Sequence, residues 1–205
     1  MKLLDAIKQP GRPLEIPDCS RDDLPQFFVD MGFKVGAEIG VYKGAFTEKF
    51  CKAGLKMYAI DPWMTYKGLG GTQEDQARQD FLYDHTQRTL APYGDCVIIR
   101  STSMDALKQF EDGSLDFVYI DGDHEFKFVA EDIVEWTKKV KKGGIVSGHD
   151  YVPSNDAPNP YVLHVKYVVD AFTNAFSIRN WYLLGRAEKL PGEKREKSRS
   201  WMFIK

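Results

Sequence analysis

The chain has 205 residues, of which 43% are hydrophobic and 28% charged, with a formal net charge of −2. This length suits one domain that buries roughly 70% of the surface exposed by its unfolded chain. The nearly neutral balance argues against a nucleic-acid partner that requires a basic surface. No apolar run approaches the ~20 residues that span a bilayer, and Asp5 and Lys8 interrupt the N-terminal apolar stretch, so we expect a cytoplasmic protein without membrane contact. Cys19, Cys51 and Cys96 never form a CxxC pair, which favours free thiols over disulfides or a zinc site.

Strands and helices alternate along most of the chain. Residues 1–21 contain three prolines and are predicted to form an arm over the surface, before a helix that Ser20 caps and that ends near Gly32. Further strands are predicted at 33–41, 56–60, 95–100, 116–120, 145–148, 179–184 and 201–204, and further helices at 44–53, 74–90, 104–110, 126–140 and 161–176. We expect Gly143 and Gly144 to stop the helix at 126–140. This alternation indicates an α/β fold with a mostly parallel sheet covered on both faces, and the last two strands suggest an antiparallel hairpin at one edge.

A glycine-containing loop, residues 38–44, connects the strand at 33–41 to the next helix. Gly40 permits a tight turn and the close approach of a ligand, and Gly44 lets the helix approach the strand. A dinucleotide fingerprint requires another glycine where this chain has Glu38, whose carboxylate would repel a pyrophosphate. An ammonium or sulfonium group suits that position better. The loop, which includes Tyr42, therefore favours S-adenosylmethionine (SAM) over NAD as the cofactor.

The strand at 56–60 leads into Asp61, 21 residues after Gly40, where an acidic side chain accepts hydrogen bonds from ribose hydroxyls in nucleotide-binding folds. Trp63 is predicted to pack against the nucleoside. Each signal also has a structural explanation, because glycine loops and Asp-Pro pairs form ordinary turns. Their joint occurrence on successive strands favours the cofactor interpretation.

Two later strands end in polar side chains that suit a reaction centre. Asp121 and His124 follow the strand at 116–120, and His149 and Asp150 follow the strand at 145–148. Methyl transfer to a hydroxyl needs a base, or a metal that lowers the pKa of the hydroxyl. His124 is the natural base, and the two carboxylates could share an oxygen-loving cation such as Mg²⁺. The structural alternatives are a strand-ending turn, a helix cap at 123–124, and a hydrogen-bonded cluster at 149–151.

Several of these segments together resemble a known family. The Glu-x-Gly-x-x-x-Gly loop at 38–44, the acidic strand end, the segment at 101–103, the segment at 116–124 and the phrase at 143–151 are similar to class I SAM-dependent methyltransferases. Within that class they resemble the small-molecule O-methyltransferases that include macrolide-sugar methyltransferases and cephalosporin-hydroxylase-like proteins. The resemblance spans about residues 34–177, and the final strand pair fits the family's hairpin.

The resemblance implies a Rossmann-like fold with a seven-stranded sheet of order 3-2-1-4-5-7-6 and an antiparallel last strand. It also implies site residues. The expected cofactor-binding residues are Glu38, Gly40, Tyr42, Gly44, Asp61, Trp63, Thr102, Ser103 and Asp121, the expected catalytic residues are His124 and Asp121, and the expected metal ligands are Asp121, His149 and Asp150. His149 stands where metal-dependent relatives carry a carboxylate, and imidazole is a poor Mg²⁺ ligand. Either Mn²⁺ binds instead, or no metal binds and the two histidines act as base and orienter.

We therefore predict one methyltransferase domain over 1–205, with an arm and helix at 1–32 and the core at 33–205. The expected partner is a small-molecule acceptor, such as a sugar or a glycosylated metabolite, and a homo-oligomer stands as an alternative to a monomer. One rival is an NAD-dependent sugar oxidoreductase, which the missing glycine and the lack of a Tyr-x-x-x-Lys pair disfavour. The other is a non-catalytic nucleotide-binding domain. Residues 63–80 are either a lid or a solvated connection, and the charged loop at 186–199 is interpreted as a hairpin tip.

Overall fold

The computed structural model describes residues 3–65, 75–153, 162–186 and 198–205. The strands are β1 (Gly11–Ile16), β2 (Val35–Ile39), β3 (Lys56–Asp61), β4 (Cys96–Arg100), β5 (Leu115–Ile120), β6 (Val140–Gly148), β7 (Asn180–Leu184) and β8 (Ser200–Ile204). The helices are α1 (Leu3–Ala6), α2 (Leu24–Asp30), α3 (Ala45–Lys52), α4 (Gln76–Leu90), α5 (Ser103–Ala106), α6 (Phe126–Lys139) and α7 (Val165–Ala175), with 3-10 turns at Arg21–Asp23 and Leu107–Gln109. Half of the predicted lid at 63–80, residues 154–161 before α7 and most of the hairpin tip at 186–199 lie outside the described residues.

The eight strands form one sheet in the order β1-β7-β8-β6-β5-β2-β3-β4. Strand β8 runs antiparallel to β6 and β7, and the other neighbouring pairs are parallel. The seven later strands keep the predicted order, which confirms the α/β, Rossmann-like prediction, and β1 adds an eighth strand. All six residues of β5 are buried, as expected for a central strand with helices on both faces.

The prediction of a surface arm at 1–21 is wrong in its middle part, because β1 pairs in parallel with β7. The pairing places Ile16 opposite Leu184, and the register is irregular around Pro13. A proline without an N–H is tolerated on an edge strand or at a bulge. Ile16 is fully buried, so an apolar side chain also anchors the strand. The hairpin of β7 and β8 therefore lies one strand inside the edge.

Helix α6 and strand β6 meet directly, which corrects the predicted helix stop. The backbone is already extended at Val140, with φ −79° and ψ 138°. The Gly143 N–H donates to the Lys205 carbonyl at 2.8 Å, and the Lys205 N–H donates to the Gly144 carbonyl at 3.0 Å. The two glycines thus extend the strand, because the last residue of the chain pairs with them.

Apolar layers cover both faces of the sheet. On one face, Phe28 of α2 and Phe50 of α3 pack on Phe117 of β5, with ring centroids 4.3 and 5.3 Å apart. On the other face, Ile133 and Trp136 of α6 are fully buried. Burial of each such side chain stabilises the fold by about 1.5–3 kcal/mol relative to exposure. The polar residues that follow β5 are therefore attached to a firmly packed strand.

Two expectations from composition can be compared with the structure. In the described part of the chain, no helix combines the length and the apolar character needed to cross a bilayer. Cys19, Cys51 and Cys96 are free thiols, as predicted.

The turn after β2 passes very close to the end of β5. Gly40 has φ +86°, and a Cβ there would lie 2.1 Å from the Asp121 carbonyl oxygen. The Gly40 N–H donates to the Ile60 carbonyl at 2.9 Å, and the Asp121 N–H donates to the Ile39 carbonyl at 2.7 Å. The turn is therefore fixed against both neighbouring strands, and only glycine fits at position 40.

Gly40→Ala should lower the free energy of unfolding by roughly 1–3 kcal/mol more than Gly54→Ala. Both glycines have φ +86°, so both variants share the cost of a left-handed backbone. A Cβ at Gly54 meets nothing within 4 Å, whereas one at Gly40 meets backbone. Urea denaturation followed by circular dichroism measures both variants. Equal losses would contradict the close approach.

Candidate functional site

The predicted site residues follow strands whose carboxyl ends meet at one edge of the sheet. The glycine turn at 40–44 follows β2, Asp61 ends β3, Asp121 follows β5 and His149 follows β6. Ligands of open α/β sheets bind outside the carboxyl ends of the strands. The topology thus brings the predicted cofactor loop and the polar strand ends to the same edge.

Four side chains, which we name the Asp–His cluster, come together after β5 and β6: Asp121, His124, His149 and Asp150. His124 Nε2 lies 3.2 Å from Asp150 Oδ2 and 3.8 Å from Asp121 Oδ1. His149 Nδ1 lies 3.3 Å from Asp150 Oδ2 and 3.8 Å from Asp121 Oδ1. Both imidazoles therefore face the same two carboxylates.

The electrostatics of the cluster favour charge separation between imidazole and carboxylate. Burial works against the charged imidazole of His124, but the carboxylates of Asp121, Asp150 and Asp123 outweigh it, so the pKa of His124 is raised. Burial also works against the charged carboxylate of Asp150, yet His149 and His124 hold its pKa below the ordinary value. Asp150 is thus an anion that stabilises a protonated histidine beside it.

His124 also has an unusual hydrogen-bonding state. Its Nε2 atom is buried, and none of its contacts with the described part of the chain has hydrogen-bond geometry. A buried polar atom without a partner costs free energy, and such atoms often mark a ligand, proton or ion that the folded protein accepts. Among the described residues, Asp121, His124 and Asp150 offer ligand atoms that all lie within 4.8 Å of one another. The sequence placed His149 in that trio, and the structure places His124 there.

The backbone around His124 is held by Asp123, which belongs to the helix cap considered at 123–124, and by His164, which no sequence pattern singled out. The Asp123 carboxylate accepts from the Glu125 N–H at 2.7 Å, next to the start of α6. His164 Nδ1 accepts from the Phe126 N–H at 3.0 Å, and the His164 N–H donates to the His124 carbonyl at 2.9 Å. His164 thus fastens the first turn of α6, and α7 begins after it at Val165, not at residue 161 as predicted.

Asp150 occupies a left-handed backbone conformation, with φ +56°. Such a conformation costs about 1–3 kcal/mol for a residue with a side chain and is concentrated at functional sites. The Val152 N–H donates to the Asp150 carbonyl at 2.8 Å, which closes a tight turn after β6. That turn presents the carboxylate to the two histidines.

The Asp61 carboxylate holds the glycine turn. Its Oδ2 accepts from the N–H groups of Val41 and Tyr42, both at 2.9 Å, and its Oδ1 accepts from the Trp63 N–H at 2.9 Å. Burial raises the pKa of Asp61, although these three donors favour its charged form. The residue predicted to bind ribose therefore fixes the backbone of the glycine turn through hydrogen bonds.

Glu38 and Trp63 lie behind the turn, away from an open surface. Glu38 is 2% exposed, accepts a hydrogen bond from Thr47, and burial raises its pKa to about 8. Trp63 is fully buried, its Nε1 donates to the Tyr42 carbonyl at 2.8 Å, and its ring lies 5.1 Å from that of Tyr83. The sequence predicted a carboxylate facing a cation and an indole facing a nucleoside, whereas the structure gives both side chains contacts within the protein.

After β4, Thr102 and Ser103 begin α5. The Thr102 side chain accepts from the Asp105 N–H, as expected of an N-cap. Ser103 donates to the buried carboxylate of Asp132 and accepts from the Trp136 Nε1–H at 2.7 Å. Burial raises the pKa of Asp132 to about 7. No prediction from the sequence included Asp132. Its position on the apolar face of the amphipathic helix α6 nevertheless indicates a buried carboxyl group.

Arg21 is a second site residue that sequence reasoning missed. Its Nη1 lies 3.3 Å from Asp121 Oδ2, although the two residues are 100 positions apart. No local pattern could reveal this contact, because it depends on where the segment between β1 and α2 crosses the sheet edge.

Comparison with known proteins agrees with this geometry. The family model described as a methyltransferase domain matches residues 37–151, more than half of the chain. No protein with a curated functional description is matched by the sequence. Solved structures share the fold. An O-methyltransferase from Bacillus cereus, in complex with S-adenosylhomocysteine (SAH), is 14% identical with a TM-score of 0.59, over 90% of this chain and 80% of that one.

Two further structures show how widely the fold is used. The O-methyltransferase TomG from Streptomyces achromogenes, involved in tomaymycin synthesis and solved with SAM, is 12% identical with a TM-score of 0.60, over 90% of this chain and 78% of that one. The N-methyltransferase NodS from Bradyrhizobium japonicum is 14% identical with a TM-score of 0.58, over 90% and 93%. The chain thus belongs to the methyltransferase domain family and has the fold of the class I SAM-dependent methyltransferases.

Proposed function

We propose that the protein transfers a methyl group from SAM to a hydroxyl of a small molecule, such as a sugar or a glycosylated metabolite. The observation that carries this proposal is the position of the Asp–His cluster directly beside the glycine turn, where Gly40 touches the backbone of Asp121. A methyl donor held at the turn would present its sulfonium close to a base. The family supports methyl transfer, and the chemistry of the cluster favours a hydroxyl acceptor.

For the cofactor, we propose that the turn at 40–44 and Asp121 bind the methionine part of SAM. Asp61 and the Thr102–Ser103 pair lie on the strand ends where the nucleoside is expected. Glu38 and Trp63 act from behind: both are buried, and Trp63 bonds the Tyr42 carbonyl. Their proposed role is to shape the turn.

In the proposed reaction, the acceptor oxygen attacks the methyl carbon, the carbon–sulfur bond breaks, and SAH leaves. The hydroxyl proton must pass to a base as the new bond forms. We assign this role to His124, whose buried Nε2 has no hydrogen-bond partner with good geometry among the residues that the structure describes. Asp150, 3.2 Å away, stabilises the imidazolium that results. His149 contacts the same carboxylate and orients it.

The cluster also fits a divalent transition metal. The imidazole of His149 faces the carboxylates of Asp150 and Asp121, with its Nδ1 atom 3.3 and 3.8 Å from them, and this donor set suits Mn²⁺ better than Mg²⁺. Asp121 and Asp150 would hold the ion together with one imidazole, which the sequence assigns to His149. When bound, such an ion lowers the pKa of a coordinated hydroxyl. In a rival assignment His124 itself is the ligand, because it forms the compact trio with the two carboxylates.

Other acceptors and activities are weaker proposals. The fold does not decide the acceptor atom, since the similar structures include an N-methyltransferase and an rRNA methylase. An NAD-dependent oxidoreductase needs a pyrophosphate at the turn, where this chain has Glu38 in place of the first glycine of the fingerprint. A non-catalytic nucleotide-binding domain would not need a buried histidine between two carboxylates.

Calorimetry with SAM, SAH and NAD⁺ tests the proposed cofactor. SAM and SAH should bind with micromolar dissociation constants, because the glycine turn and the acidic strand ends are already in place, and NAD⁺ should give no heat. Binding of NAD⁺ alone, or no heat with either sulfur compound, would overturn the proposal.

His124→Gln and His149→Gln form a matched pair that separates base from ligand. His124→Gln should lower turnover of a hydroxyl acceptor at least ~100-fold, the effect expected for a lost general base, and leave Mn²⁺ affinity unchanged. His149→Gln should weaken Mn²⁺ binding about tenfold or more, as measured by electron paramagnetic resonance. His85→Ala on α4 serves as the control and should change neither quantity. The opposite pattern would make His124 the metal ligand.

Glu38→Gln should change how stability depends on pH. Burial raises the pKa of Glu38 from 4.5 to about 8, so the native protein loses stability as pH rises through this window, whereas the variant does not ionise there. Between pH 4.5 and 8, the free energy of unfolding of the variant should therefore rise by roughly 3–5 kcal/mol relative to that of the native protein. Urea denaturation across this range measures the difference. Glu48→Gln is the control and should show no gain, because Lys52 lowers the pKa of Glu48.

A further inference from the structure

Arg21 lies on a short segment that the rest of the protein holds in place. The segment is a single 3-10 turn between β1 and α2. The Ser20 N–H donates to Asp23 Oδ2 at 2.8 Å, and Asp22 forms a 2.6 Å ion pair with Lys49 of α3. The pairing of β1 with β7 anchors the chain immediately before it. The backbone that carries Arg21 is therefore fixed relative to the sheet edge.

The Arg21 side chain crosses the first turn of α3 to reach the site. Its Cζ lies 5.1 Å from the ring centroid of Phe46, which in turn packs on Tyr119 at 4.6 Å. Its Nη1 lies 3.3 Å from Asp121 Oδ2, and the side chain is 35% exposed. The guanidinium thus lies between the first turn of α3 and Asp121 at the end of β5, partly open to solvent.

Asp121 lies between Arg21 and the two histidines of the Asp–His cluster. Its Oδ2 faces Arg21, whereas its Oδ1 faces His124 and His149, each at 3.8 Å. Arg21 therefore lies on the side of α3, the helix that directly follows the glycine turn, and the histidines lie at the other carboxylate oxygen, where the acceptor is expected. A ligand group that contacts both Arg21 and the turn belongs to the cofactor.

An amino-acid group carries a carboxylate and an ammonium side by side, and an arginine beside an aspartate is its electrostatic complement. The planar guanidinium matches a carboxylate in two-point geometry. Two other acidic residues lie near the turn. Glu38 is buried, with a pKa of about 8, and both oxygens of Asp61 already accept hydrogen bonds from N–H groups of the protein. Asp121 is therefore the better placed anion for the ammonium.

We infer that Arg21 binds the carboxylate of the methionine part of SAM, with the ammonium beside Asp121. The inference rests on the proposed function. It assigns cofactor recognition to a residue upstream of the family match, which begins at residue 37. The added strand β1 then has a functional consequence, since it fixes the segment that delivers this arginine.

The test compares two ligands that differ only in the group that Arg21 is proposed to bind. SAH carries the amino acid, and 5′-methylthioadenosine lacks it. Arg21→Gln should weaken SAH binding about 10- to 100-fold in calorimetry and change the affinity for 5′-methylthioadenosine less than twofold. Arg21→Lys, which keeps the charge but not the two-point geometry, should give an intermediate loss for SAH. Lys52→Gln removes the same charge from the neighbouring helix and should affect neither ligand.

Each other outcome has a distinct meaning. Wild-type affinity for SAH in Arg21→Gln overturns the inference and leaves the proposed function intact. Equal losses for the two ligands also overturn it, because they indicate a general disturbance of the site. If the native protein binds neither ligand, the proposed function fails, and the inference fails with it.

Discussion

The candidate site depends on one steric constraint, the contact between the turn after β2 and the backbone that follows β5. Gly40 has no side chain, and its Cα approaches the Asp121 carbonyl so closely that a Cβ would overlap it. Backbone hydrogen bonds from Gly40 to β3 and from Asp121 to β2 hold this arrangement on both sides. The Asp61 carboxylate then secures the next two N–H groups of the turn. The glycine turn and the Asp–His cluster therefore form one rigid unit, and neither could move without the other.

A single carboxylate serves both halves of that unit. Asp121 contacts Arg21 with one oxygen and faces the two histidines with the other. A ligand charge that binds beside Arg21 will alter the electrostatic potential at the two histidines, because both contacts involve the same partly buried carboxylate. This coupling offers a physical reason for the histidines to respond to cofactor binding, without any movement of the backbone.

Much of the architecture follows from local patterns in the sequence. Apolar strands and amphipathic helices alternate along the chain, and because their apolar residues repeat at fixed periods, they predict the parallel sheet. The family resemblance supplies the order of its strands. The two errors have non-local causes. β1 forms only because β7 offers an edge, and Gly143 and Gly144 continue β6 only because Lys205 pairs with them. Turn residues alone do not reveal such partners.

The candidate site was partly predictable for the same reason. Asp121, His124, His149 and Asp150 follow strands directly, so topology alone brings them together. Arg21 could not be found, because its contact spans 100 positions. Asp132 could have been found, since an acidic residue among Val129, Ile133 and Trp136 interrupts an otherwise apolar helix face. No sequence pattern could indicate how deeply each carboxyl group is buried.

That depth changes the electrostatic description of the site. From the sequence, Glu38 was expected to supply the negative charge that attracts a cationic cofactor, yet burial raises its pKa to about 8. Burial likewise raises the pKa of Asp132 to about 7 and increases that of Asp61. Asp150 is the opposite case, because two histidines lower its pKa. Glu38 is thus a poor source of charge, and in the proposed function the attraction for a sulfonium comes from the Asp–His cluster. The electrostatic pull on the methyl donor is therefore directed toward the side on which the acceptor is expected to react.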